Sequence, residues 1–294
     1  MPSLDTQARK SSITLPHLRA ERLLATVGPH VVLIAYTCLA MFPIFLTIIN
    51  SFKERKNIFQ YPYTLPLGDL FTLAGYQTVF KRADMLLYFA NSLIITVGSL
   101  ALILLTGAMA AYALSEYKFR GNSLVSLYMT LGILIPIRLG TVSIIRFCTS
   151  IGLTGTLQGM ILIYTATGIP LSVFILNQFM RQLPGELKDA ARVDGASEYR
   201  ILFQLVLPLV RPAMVSVAVF NMIPIWNDLW WPLIMASDRT KTVTLGVQTF
   251  TGQYLTDWTA LLAALSLAIV PVLIMYVVFS RQLIRGLTAG AVKQ

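Results

Sequence analysis

Six long apolar stretches constrain this chain more than any other feature of its sequence. They cover residues 26–51, 86–114, 123–146, 156–180, 212–235 and 259–281. Each is long enough for a helix to cross a bilayer, which takes about 20 residues. Because hydrocarbon offers the backbone no hydrogen-bonding partner, a spanning segment must satisfy its own polar groups, and a helix does so within one segment. The sequence therefore predicts an all-α integral membrane protein with six transmembrane helices.

The composition supports this interpretation. Only 12% of the residues are charged, whereas soluble domains carry about 25%. Every stretch contains glycine or proline, which transmembrane helices tolerate, and we expect all six to be helical throughout. The net charge of +10 comes from basic residues that flank the stretches, so it indicates anionic lipid headgroups and not nucleic acid as the partner.

The distribution of basic residues predicts the orientation. With six spans, both termini lie on one side of the membrane. The segments on that side are 1–25, 115–122, 181–211 and 282–294, and they hold most of the 23 lysines and arginines. The positive-inside rule makes this side cytoplasmic. We therefore expect a cytoplasmic N-terminal segment (1–25), a single membrane domain (26–281) and a cytoplasmic tail (282–294).

The stretch "ELKDAARVDGASEYRILFQLVLPLVRP", residues 186–212, is unusually rich in charge for so apolar a chain. Pro184 and the carboxylates of Glu186 and Asp189 favour the start of a helix, because proline suits the first turn and acidic groups suit the positive end of the helix dipole. Asp194 and Gly195 predict its end, since glycine adopts the left-handed conformation needed there. Leu187, Ala190 and Ala191 share one face of this helix.

A second helix is predicted directly after the first. Ser197 can cap it, and Tyr199, Leu202, Phe203 and Val206 form its apolar stripe. The 181–211 loop is therefore a helix-turn-helix that stands out from the membrane. An ordinary connection between two spans would have the same composition, and the physical argument alone leaves both interpretations open.

The spacing of these residues resembles the cytoplasmic EAA loop of permease subunits in binding-protein-dependent ABC importers. One aspartate departs from the pattern, since Asp189 replaces its first glutamate. "IWNDLWWPLIM" and the tail "LIRGLTAGAVKQ" resemble the carbohydrate branch, specifically the G-type second permease of maltose-like transporters. The residues that match the EAA loop are Asp189, Ala190, Ala191, Asp194, Gly195, Ala196, Phe203, Leu207, Pro208 and Pro212.

The resemblance implies a type I ABC importer permease fold in the inner membrane of a bacterium. It implies four kinds of partner: a homologous F-type permease, two ATPase subunits that receive the 181–211 loop, an extracytoplasmic solute-binding protein and membrane lipid. ATP and Mg are expected in the ATPases, because this chain has no GxxxxGK[ST] phosphate loop. It also lacks HExxH and GxSxG, so we expect no catalytic residue, no metal and no enzyme activity.

An ion-coupled secondary carrier is the alternative function. Such carriers need titratable groups within their spans, and Asp228 is the only carboxylate inside a predicted stretch. For Asn91, Asn221, Asn227 and Asp228 we weigh a lining of the sugar path against a structural role between helices or in an interfacial aromatic belt. The role of Arg138, next to Pro136, stays open between a cavity and the membrane interface.

Overall fold

A computed structural model of the chain describes residues 16–252 and 256–291, and side chains over 27–252 and 256–279. Within those residues the protein is helical and contains no strand. The first helices are α1 (Pro16–Asn50), α2 (Arg55–Gln60), α3 (Ala74–Arg82), α4 (Met85–Glu116), α5 (Asn122–Leu134), α6 (Thr141–Ser150) and α7 (Leu157–Met180). They are followed by α8 (Gly185–Val193), α9 (Glu198–Leu209), α10 (Arg211–Asn227), α11 (Trp230–Met235), α12 (Val243–Val247) and α13 (Trp258–Ala291). Residues 1–15 of the predicted N-terminal segment (1–25) and 292–294 of the predicted tail (282–294) lie outside the described residues.

Four helices are long and apolar enough to cross a membrane unbroken. They are α4, α7 and the parts Val27–Asn50 of α1 and Trp258–Phe279 of α13. Two further candidates are bent pairs, Asn122–Leu134 with Ile137–Ser150 and Glu198–Leu209 with Arg211–Asn227. Six spans result if each bent pair counts as one.

The expectation that every span is helical throughout is wrong for the third and fifth stretches. In the third, the chain turns by 89° between α5 and the following segment, at Ile135 and Pro136. A proline disfavours helical backbone in the residue before it, which explains the break there. In the fifth, α10 ends at Asn227 and α11 begins at Trp230, so 212–235 is two helices. At this break the Asp228 carboxylate accepts from the N–H groups of Trp230 and Trp231, which satisfies the start of the second helix.

The core of the membrane domain is the pair α4 and α7, against which α10 packs. The two helices of the pair approach closely at Gly107, where a Cβ atom would lie 2.2 Å from the Oγ and 2.7 Å from the Cβ of Ser172. Small residues allow such an approach in membrane helices, where packing and not the hydrophobic effect holds the helices together. The α4–α7 pair is therefore the closely packed centre of the membrane domain.

The two ends of α4 carry different structures. Near its start, Tyr88 packs with Val79, Val243 and Val247, which belong to the long segments 52–84 and 236–257. Near its other end, Glu116 contacts the 181–211 loop. The segments 52–84 and 236–257 thus lie at one end of α4, and the 181–211 loop lies at the other.

Candidate functional site

The 181–211 loop forms the predicted helix-turn-helix. Its first helix, α8, ends at Val193, and the backbone N–H groups of Asp194, Gly195 and Ala196 donate to the carbonyls of Ala190 (3.0 Å), Arg192 (3.0 Å) and Ala191 (2.9 Å). Gly195 has φ +79°, the left-handed conformation that glycine adopts without steric cost. The angle between the two arms therefore depends on a glycine at this position, as the sequence predicts.

The second arm differs from its prediction in register. The Ser197 side chain accepts from the Arg200 N–H at 3.4 Å, as expected of a cap. The backbone is π-helical over Ile201–Val206, and i→i+5 bonding brings residues five apart onto one side. Ile201, Leu202 and Val206 are buried, while Tyr199 and Phe203 are exposed. The predicted single stripe is thus wrong: two of its four members face outward.

Exposed apolar side chains make the loop unusual for a surface connection. Leu187 is 46% exposed, Val193 88% and Phe203 43%. Ala191, Ala196 and Leu207 instead pack partly buried against the core. One side of the loop therefore packs against the membrane helices, and the other side exposes apolar side chains. The other predicted coupling residues that lie exposed are Glu186, Asp189, Ala190, Asp194, Gly195 and Pro208.

A set of ion pairs, which we call the ionic brace (Glu116, Lys188, Asp189, Arg192 and Glu198), fixes the loop to the end of α4. Arg192 is its centre: its guanidinium lies 2.7 Å from Glu116, 2.8 Å from Asp189 and 2.8 Å from Glu198. Lys188 forms a second ion pair with Glu116. The brace thus joins both arms of the loop to a membrane helix.

The contacts of the brace favour the charged forms of Arg192 and Glu198. Hydrogen bonds from Arg192 and then from Tyr112 lower the pKa of Glu198 to about 2. The hydrogen bonds to Glu198 and Glu116 raise the pKa of Arg192 above its usual value. Burial, followed by the Glu198 carboxylate, raises the pKa of Tyr117 to about 12. Each charge stabilises its neighbour, so the pairs persist across the physiological range.

Sequence reasoning missed the brace. Among its members only Asp189 was a predicted site residue, and its carboxylate, 70% exposed, contributes the outermost contact. One signal was available: Lys188 and Arg192 are four residues apart, which places two cations on one face of a helix. Glu116, at the end of the second stretch, is the acidic group that they reach. Their distance along the chain concealed the pairing.

Breaks in two spans meet at a second site, which we call the Arg138–Asp228 cleft. Its volume is about 280 Å³. Arg138 reaches it from the 3-10 turn Ile137–Gly140 at the bend after α5, and Asp228 from the break between α10 and α11. The residues that line it are Ile137, Arg138, Tyr164, Thr167, Leu171, Phe220, Asn221, Pro224, Ile225, Asp228 and Trp231.

Asp228 organises this cleft. Its Oδ2 accepts from the Tyr164 hydroxyl at 2.8 Å and from the Trp231 N–H at 3.0 Å. Its Oδ1 accepts from the Trp230 N–H at 3.3 Å and lies 3.7 Å from the Arg138 guanidinium. The carboxylate therefore caps α11, whose first N–H groups have no partner within the helix.

The other predicted path residues lie in three different environments. Asn221 is buried, lines the cleft, and donates to the Val217 carbonyl at 2.9 Å. Asn227 is exposed and donates to the Ile223 carbonyl. The Asn91 amide nitrogen donates to the carbonyls of both Arg239 and Lys241, each at 2.9 Å. These two residues lie 148 and 150 positions further along the chain. The structure thus brings together Asn221 and Asp228 at the cleft, while Asn91 holds the 236–257 segment.

Comparison with solved structures places the fold in a known class. The chain matches a bacterial ABC transporter involved in the import of the acidic polysaccharide alginate, with a TM-score of 0.74 and 20% identity over 90% of this chain and 97% of that one. The architecture is therefore that of a type I ABC importer permease.

The sequence comparisons are more specific. Residues 72–288 match the family described as binding-protein-dependent transport system inner membrane component. The diacetylchitobiose uptake system permease protein NgcG of Streptomyces coelicolor is 35% identical over 94% of this chain and 89% of its own length. The arabinooligosaccharides transport system permease protein AraQ of Halalkalibacterium halodurans is 32% identical over 87% and 92%. This chain belongs to that family of inner membrane transport components.

Proposed function

We propose that this chain is one of two permease subunits of an ATP-driven importer of di- or oligosaccharides in a bacterial inner membrane. Relatives whose names specify diacetylchitobiose, starch degradation products and arabinooligosaccharides support a sugar substrate. A homologous F-type permease completes the path, and an extracytoplasmic solute-binding protein delivers the sugar. Both termini lie in the cytoplasm, where most of the basic residues are placed by the topology.

The 181–211 loop couples this subunit to ATP hydrolysis in two cytoplasmic ATPase subunits, which hold the ATP and Mg. Two observations together support this coupling role. The ionic brace fixes the loop to α4, and the loop exposes apolar side chains such as Leu187 and Val193. Exposed apolar groups of this kind provide a docking area for the ATPase. Because the brace ties the loop to α4, it transmits movement of the loop to the membrane helices. ATP binding closes the ATPases and turns the helices toward the outward-open state, and hydrolysis resets them.

The path through the membrane runs along the broken spans, where Asn221 and Asp228 face the cleft. We propose that the exposed Asn227 extends the polar lining. Asn91 supports it indirectly, by holding the 236–257 segment. Irregular backbone is tolerated at membrane depth only where it is buried in protein or lines a cavity, and these breaks satisfy that condition.

Co-purification tests the coupling proposal. The tagged chain is extracted from its native membrane in mild detergent, and we expect a second permease and an ATPase to accompany it. Gly195→Pro fixes φ near −65° where the loop needs +79°, and Ala190→Trp adds bulk to an exposed position; both should lose the ATPase but keep the permease. Ser123→Trp, an equally exposed position on α5, is the control. ATPase retention in both loop variants would contradict the assignment of the loop.

A further inference from the structure

The proposed function does not use Arg138, a charged side chain within the third predicted stretch, where burial of a charge in hydrocarbon costs free energy. An arginine within a span is retained where it faces a cavity or a partner, or where it reaches the interface. Its guanidinium lies 5.6 Å from the centroid of the Trp230 ring and 3.7 Å from Asp228 Oδ1. Of these two groups Asp228 lines the Arg138–Asp228 cleft, as Arg138 itself does, so the cavity explains its position.

The two charged groups differ in how much of their bonding capacity the protein uses. Asp228 Oδ2 accepts two short hydrogen bonds, from Tyr164 and from the Trp231 N–H. Within the described residues, the contacts found for Oδ1 are the longer ones of 3.3 Å and 3.7 Å. The Arg138 side chain is 67% exposed. A donor and an acceptor therefore stand side by side at the cleft, each with capacity left.

This pairing selects a kind of ligand. Arginine only donates hydrogen bonds and a carboxylate only accepts them, so a group between them must do both, as a hydroxyl does. Their charges offset each other, and an anionic ligand would meet Asp228 while a cationic one would meet Arg138. Phe220, 36% exposed, and Leu171 provide an apolar wall beside them. The volume of about 280 Å³ is close to the lower bound of roughly 300 Å³ for small-molecule sites.

We propose that the Arg138–Asp228 cleft binds one neutral sugar ring of the transported oligosaccharide. Arg138 donates to one hydroxyl and Asp228 Oδ1 accepts from its neighbour, while the C–H face of the ring lies on Phe220. This inference rests on the proposed importer function and deepens it, because it gives this subunit its own saccharide contact and makes Arg138 a specificity-determining residue.

The test uses the complete transporter in proteoliposomes with its solute-binding protein, and diacetylchitobiose, maltotriose and arabinotriose as probes. Arg138→Gln should lower ATP-driven uptake about tenfold, the expected effect of one lost hydrogen bond from a charged group. Binding-protein-stimulated ATP hydrolysis should stay within about twofold, because the loop is untouched. Arg138→Lys keeps a donor and should recover part of the uptake. Arg146→Gln, an exposed arginine of α6 outside the cleft, should match the wild type.

The outcomes separate the two proposals. Uptake by Arg138→Gln equal to that of Arg146→Gln, in a transporter whose wild type is active, overturns the cleft proposal and leaves the importer intact. Parallel loss of uptake, hydrolysis and assembled complex in Arg138→Gln also overturns it, because the arginine would then be structural. A wild type that transports none of the probes with ATP, and does not assemble with an ATPase, contradicts the importer function itself.

Discussion

The ionic brace makes the strongest quantitative prediction. Arg192→Met keeps an unbranched apolar stem and removes three charge contacts, with Glu116, Glu198 and Asp189. Asp189 is 70% exposed, so that pair contributes little. Glu116 is 11% exposed, but it keeps its ion pair with Lys188 in the variant. Glu198 keeps the hydrogen bond from the Tyr112 hydroxyl, at 2.7 Å. Hydrogen bonds to charged groups contribute about 1.5–3 kcal/mol and exposed pairs about 0.2–1 kcal/mol, so we expect a loss of about 2 kcal/mol.

A change of about 2 kcal/mol corresponds to roughly 30-fold in the ratio of attached to detached loop. Amide hydrogen exchange in α8 should therefore be roughly 30-fold faster in Arg192→Met, since α8 exchanges by local opening. The membrane helices α4 and α7 should be unchanged. Arg200→Met is the matched control, because the Arg200 guanidinium bonds only Gln204 among the contacts found in the described residues, at 2.9 Å. Equal exchange of α8 in both variants would refute the brace.

Three further predictions follow from the geometry. Gly107→Ala should lower the free energy of unfolding in detergent by about 1–3 kcal/mol, whereas Gly28→Ala, with open space around it, should not; equal melting temperatures would contradict the close helix approach. Asp228→Ala should lose about 1–3 kcal/mol, because the Tyr164 hydroxyl and the first N–H groups of α11 lose their acceptor, and Asn227→Ala should be near neutral; the reverse order in chemical denaturation would exclude this role of Asp228. The Glu198 carboxylate, whose folded pKa is lowered to about 2 from 4.5, should stabilise the fold above pH 4.5 and cease to do so as the pH falls through about 2. The melting-temperature difference between wild type and Glu198→Gln should thus be constant from pH 8 to 5, and a peak near pH 6.5 would refute this.

The architecture could be predicted where local chemistry determines it. Long apolar stretches specify helices in a solvent without hydrogen bonds, and the four unbroken spans match their predicted positions to within a few residues. In the 181–211 loop, Gly195 and Ser197 specify their own local conformations, since a left-handed residue and a cap depend on neighbours only a few residues away. These features are encoded in short segments, and a sequence pattern can show them.

The rest depends on partners distant in the chain. Pro136 marks a place where the third stretch can break, but Pro43, Pro170 and Pro271 lie inside continuous helices, so a proline alone does not predict the 89° turn. The π-helix at Ile201–Val206 follows from packing of Ile201 and Val206 on the core, which overrides the α-helical stripe. The pairing of Arg138 with Asp228 joins two different spans. A single sequence carries no signal for such contacts, because the residues that meet are separated by whole helices.

We propose that ATP hydrolysis in partner subunits drives sugar uptake through this chain. Uptake of radiolabelled diacetylchitobiose into proteoliposomes that contain the purified complex, with ATP enclosed and the solute-binding protein outside, tests this mechanism. We expect uptake that requires ATP and is lost in Gly195→Pro, with no effect of an imposed proton or sodium gradient. Uptake by this chain alone, driven by an ion gradient without ATP, would refute the ATP-driven mechanism and establish a secondary carrier.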